Sequence, residues 1–127
     1  MTVSQLVMAY PFTPRVVREV VAARRVGAYV LGHCDGDFIP GYIGRSDRSL
    51  RERLADHPLC GQFDYFVLRY AINAANAYVA ECELWHGSTQ SGYCIENRIH
   101  PASPRDTGLM CPYCEFANRV AEGWHAA

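Results

Sequence analysis

The sequence predicts a single α+β domain in which helices flank a small three-stranded antiparallel sheet. Three observations carry this. Stretches with apolar residues at helical spacing alternate with short runs of aromatic and branched residues. Half of the 127 residues are hydrophobic, which is enough for one core at a length too short for two. The elements follow the order helix, strand, strand, helix, strand, helix, and then a loop-rich tail, an order that closes most simply as one antiparallel sheet with helices packed on it.

The first helix is expected over 14 to 25. Val16, Val17, Val20 and Val21 share a face there, Thr13 is placed to cap the N-terminus, and Pro14 sits at the first turn, where its missing N–H costs nothing. From Gly27 the pattern changes to Ala28-Tyr-Val-Leu31, a strand. A turn-rich segment from Gly32 to Asp37 follows, then a second short run at Gly41-Tyr-Ile-Gly44, so the pair reads as a β-hairpin. Ser46 or Asp47 can cap a helix over about 48 to 57, which Pro58 ends. Residues 64 to 71 read as the third strand, and Asn73 opens an Ala-rich helix expected to run to His86 and stop at Gly87. Residues 87 to 114 hold Gly, Ser and three prolines with little periodicity, and a short helix is expected over about 115 to 124.

Charge and cysteine usage narrow the chemistry. The formal net charge is -1, so no overall basic field advertises nucleic-acid binding, and any phosphate contact must be local. All 12 cationic residues are Arg, and Arg45, Arg48, Arg51 and Arg53 fall close together, a run that by itself reads as a solvated helix face. No apolar run approaches the roughly 20 residues needed to span a bilayer. The N-terminus lacks a signal-peptide pattern, so a cytoplasmic location is expected. Six cysteines in that setting suggest thiols or metal ligands rather than a disulfide framework.

Two constellations carry chemistry. In the first, Tyr29 and Tyr42 lie on the two hairpin strands, Arg53 and His57 stand one helical turn apart, and Glu81 lies on the long helix, with Asn97 beyond it. Taken singly, these read as core tyrosines, surface charges and a loop-turning asparagine. Their order and spacing change that reading. Gly27-Ala-Tyr29, Tyr42-Ile-Gly44, Leu50-x-x-Arg53-Leu54 with His57 at the next turn, and Ala80-Glu81 together resemble the GIY-YIG nuclease domain over about 27 to 97.

The resemblance implies a magnesium-dependent endonuclease acting on nucleic acid, most simply DNA, with Mg2+ or Mn2+ held by Glu81. Arg53 would clamp the phosphate, Tyr29 with a lowered pKa would take a proton from water, and Tyr42, His57 and Asn97 would assist. Two departures stand out: Ala28 replaces the family's isoleucine, and the loop before Leu50 is one residue longer than the commonest spacing, which keeps Arg51 as a competitor of Arg53. With no separate DNA-binding domain expected, specificity would come from the core's own surface, from homo-oligomerisation or from a partner protein. The competing class is a non-catalytic, zinc-stabilised module binding nucleic acid or protein on the same scaffold.

The second constellation is Cys82, His86, His100, Cys111 and Cys114. Zinc takes four Cys or His ligands in a tetrahedron, and the Cys111-x-x-Cys114 knuckle offers two from one tight turn. Cys82 and His86 are about 40° apart around the helix axis and compete with His100 for the remaining places. A structural zinc held by four of these five would fasten the tail, about 98 to 127, to the core.

Overall fold

The computed structural model describes residues 8–105 and 107–114. The order is β1 (Tyr10–Pro11), α1 (Pro14–Val20), β2 (Val26–Asp35), β3 (Asp37–Ser46), α2 (Leu50–Ala55), β4 (Tyr65–Ala71) and α3 (Ala74–Gln90). A single helical turn at 112–114 follows, and the helix expected over 115 to 124 lies outside the described residues.

The sheet is antiparallel and has four strands in the order β1-β4-β2-β3, which corrects the three-stranded expectation. The added strand is the two-residue β1, where Tyr10 pairs with Phe66 and Pro11 with Tyr65. Two residues show no alternation, and Pro11 argues against a strand when read alone. Proline is tolerated here because β1 is an edge, where one N–H side faces no neighbour.

The helices differ from expectation at their ends. Thr13 caps α1, its hydroxyl accepting from the Val16 N–H, but the helix stops at Val20 because Val21 turns extended and its side chain enters the core. Arg24 then takes a left-handed φ of 60°, far from helical. Ser49, rather than Ser46 or Asp47, caps α2. The Ser46 hydroxyl instead accepts from the Arg48 and Ser49 N–H groups and shapes the approach to that cap. Gly87 does not stop α3, which runs on to Gln90, where the Thr89 hydroxyl donates back to the Trp85 carbonyl.

The hairpin is also longer than its apolar runs. Strands β2 and β3 continue to Asp35 and Asp37, separated only by Gly36 at φ 78°, with a register shift between Leu31 and Gly32. The sheet separates two cores. One side buries Tyr29, Leu31 and Phe66 under Val17 of α1 and Leu50 and Leu54 of α2. The other buries Ala28, Val30, Ile43 and Val67 against Ala80 and Leu84 of α3. The alternation of β2 thus sends Tyr29 and Ala28 to opposite layers. Among the described residues no helix is long and apolar enough to cross a membrane.

Candidate functional site

Tyr29 is the centre of a polar cluster built into the α1/α2 side of the sheet. Its cross-strand partner is Gly44, and a Cβ there would lie 2.5 Å from the Tyr29 hydroxyl and 2.6 Å from Cζ, so only glycine leaves room for the ring. Tyr42, from the same strand as Gly44, stacks beside it with ring centroids 6.5 Å apart. The His57 ring stands edge-on to both tyrosines.

Hydrogen bonds set the protonation pattern. The Leu59 N–H donates to His57 Nδ1 at 3.1 Å, which makes Nδ1 the acceptor and places the ring proton on Nε2. Nε2–H therefore donates to the Tyr29 hydroxyl oxygen at 2.8 Å, and Arg53 Nε donates to the same oxygen at 3.3 Å. Burial, and then the nearby Arg53 charge, pushes His57 down to about 4, so the ring is neutral at pH 7. Burial pushes Tyr29 up to about 12, although the hydrogen bond and charge of Arg53 pull the other way. This corrects the expectation of a lowered tyrosine pKa. Desolvation of a phenolate in the core outweighs one neighbouring cation, so Tyr29 is a neutral phenol and a poor base.

The two competing arginines have separate surroundings. Arg51 donates from Nε to the Val21 carbonyl and ties α2 to the end of α1. Arg53 is exposed and reaches Tyr29, with Tyr42 also beside its guanidinium. Asn97 lies on the far side of β3, where its amide grips the backbone of Ile43: Oδ1 accepts from the Ile43 N–H at 3.1 Å and Nδ2 donates to the Ile43 carbonyl at 2.5 Å. The Asn97 side chain is thereby occupied in docking the loop.

Glu81 is buried on α3, and its carboxylate accepts from Arg45 Nη1 at 2.7 Å. Burial raises its pKa, while the Arg45 hydrogen bond and charge act in the opposite sense. Its charge is felt at Tyr29, but among the described hydrogen bonds none joins Glu81 to the tyrosine cluster. A cation at Glu81 would have to share the carboxylate with the Arg45 guanidinium, which already holds Oε1. Sequence reasoning missed Arg45, which looked like one member of a charge run. A signal was present: Arg45 follows Ile43 by two on one strand and so faces α3 with it.

The second cluster joins His86 of α3, His100, and the Cys111 and Cys114 knuckle, with ligand atoms all within 4.8 Å of one another. His86 Nε2 lies 3.5 Å from Cys111 Sγ and 3.2 Å from Cys114 Sγ. His100 Nδ1 bonds the Pro101 carbonyl at 2.7 Å, which makes Nδ1 the proton-bearing nitrogen. Its Nε2 is then a lone pair, and among the described residues this buried atom has no hydrogen-bond partner. Burial, and then His100, lowers the pKa of His86, favouring its neutral form. These four groups can hold one metal ion, and two imidazoles with two thiols are a donor set that zinc takes. Cys82 stays outside the group, packed with Tyr78 and Cys111 in the core. His86 and His100 thus enter together, and the helical Cys82/His86 pair is split.

Comparison with family models, with curated proteins and with solved structures gave no match for this chain.

Proposed function

We propose that the chain is a zinc-stabilised module that takes a nucleic-acid phosphate on its Tyr29–Arg53–His57 face. One observation carries the phosphate reading: Arg53 and His57 both donate to one neutral phenol oxygen, which holds Arg53 in place. With His57 and Tyr29 uncharged at pH 7, Arg53 is the positive charge of this cluster. Its terminal nitrogens can then form the paired hydrogen bonds that phosphate oxygens accept. Because the chain as a whole is not basic, binding would be local and would weaken with salt only gently. The zinc reading is supported by the unpartnered His100 Nε2 and the thiols beside His86.

Phosphodiester hydrolysis is the second reading, favoured by the GIY-YIG-like order of Tyr29, Tyr42, Arg53, His57 and Glu81. In it, the exposed Arg53 would clamp the phosphate, while the buried Tyr29 and His57 hold Arg53 in place. Arg45 stands against it by occupying the Glu81 carboxylate.

The test is a panel of single-stranded, duplex and branched DNA and of RNA, with Mg2+ and with EDTA. The module reading expects binding without cleavage, weakened about tenfold by Arg53→Ala. Mg2+-dependent cleavage that Arg53→Ala and Glu81→Gln both abolish would establish the nuclease. Arg53→Ala binding and processing every substrate as the wild type does would sink both.

A further inference from the structure

Arg45 faces α3 beside the Cys/His corner, and its side chain is only 13% exposed. Nε and Nη2 donate to the two carboxylate oxygens of Asp47 at 2.8 and 3.3 Å. Nη1 donates both to Glu81 at 2.7 Å and to the Ala102 carbonyl at 2.5 Å. One guanidinium therefore joins β3, α3 and the loop that carries His100.

That loop has no regular structure between Gly92 and Pro104. It is pinned on both sides of His100. On the N-terminal side, Asn97 grips the Ile43 backbone while Trp85 Nε1 donates to the Asn97 carbonyl at 2.9 Å. On the C-terminal side, Arg45 holds Ala102, two residues past His100. A ligand fixed on both sides loses less chain freedom when it coordinates, so each pin adds to metal affinity.

The geometry points to Arg45 as a positioning residue that holds the His100 loop ready for zinc. The inference rests on the zinc reading above. Coupling of this kind is reciprocal: whatever Arg45 adds to zinc affinity, zinc adds to the order of Arg45.

Zinc affinity, measured by competition with a chromophoric chelator, tests this on the full chain. Arg45→Met is expected to weaken zinc about tenfold, the usual effect of removing a group that orients a ligand. Glu81→Gln keeps the Arg45–Ala102 bond and is expected to leave zinc affinity unchanged. Wild-type affinity in Arg45→Met overturns the inference, as does a loss in Glu81→Gln equal to that in Arg45→Met, which would assign the effect to the ion pair. The wild-type chain supplies a readout that needs no folded variant. The Arg45 Nη1 protons, which donate to Ala102 and Glu81, should exchange slowly with zinc bound and faster when zinc is stripped, and exchange indifferent to zinc overturns the inference. A wild-type chain that takes up no zinc fails differently, removing the zinc reading itself.

Discussion

The tyrosine cluster and the Cys/His corner both gather polar side chains out of water, yet they complete themselves in opposite ways. Around Tyr29 the partners are other side chains and backbone: the phenol oxygen accepts two hydrogen bonds and both His57 nitrogens are engaged. At the corner, His100 Nε2 is buried with no partner and His86 Nε2 faces two thiols, which are weak partners for an imidazole. The difference follows from what each is built on. Tyr29 and Tyr42 on strands and Arg53 on α2, with His57 two residues past that helix, come together as a by-product of packing, whereas the corner joins His86 of α3 to a loop and a knuckle that carry little regular structure. A site on regular elements can be finished by the protein; the corner leaves donor atoms that could hold a metal ion.

The comparison breaks most visibly if the corner survives without its thiols. Cys111→Ser or Cys114→Ser should reduce zinc from about one per chain to near none and lower the melting temperature on the order of 10 °C, because ligand loss removes folding free energy. Mass spectrometry under native conditions and a thermal scan read both. Normal melting in the two variants would mean that the corner holds itself together as the tyrosine cluster does.

A smaller effect sharpens the other half. His57 is held at about 4 in the folded chain against an ordinary value of 6.5, so the folded state binds its proton more weakly than the unfolded state. Protonation therefore favours unfolding. Stability from this group is complete above pH 6.5, falls as pH drops below it, and is lost once pH passes about 4, a total of about 3 kcal/mol. Urea titrations across that window should show the fall in wild type and its flattening in His57→Gln. An equal slope in both would move the titrating group elsewhere.

The smallest effect tests how tightly the cluster is packed. Gly44→Ala puts a Cβ against the Tyr29 ring and should destabilise the chain by about 2 kcal/mol, since the ring has no free space to retreat into. Chemical denaturation measures it, with zinc content expected unchanged. A neutral Gly44→Ala would show a looser cluster than the geometry describes.

Much of the layout was legible because its causes are local. The Thr13 and Asn73 caps, the β-hairpin and the run of 65 to 71 follow from side-chain chemistry and spacing within a few residues. The helical repeat turns Arg51 and Arg53 to different sides but left open which of them faces Tyr29, and the structure put Arg53 there. What escaped was non-local. Strand β1 exists only because β4 offers it an edge, and Val21 leaves its helix because the core has a place for it. The proton economy of Tyr29 also reversed, since burial is a property of the whole chain and its sign outweighed the one nearby charge.

The sequence by itself determined the α+β class, the order of the elements from α1 onward, and the residue types that meet at each cluster, because repeats, caps and motifs act over one or two turns of chain. Only the tertiary structure decided that the sheet has a fourth strand, that His100 rather than Cys82 joins His86, and that Arg45 ties β3 and α3 to the loop that carries His100. Those outcomes depend on segments far apart in sequence: His86 meets Cys111 and Cys114 across 25 and 28 residues, and Arg45 meets Ala102 across 57. Spacing along the chain says nothing about such approaches, which are set by how two cores pack on opposite faces of one sheet.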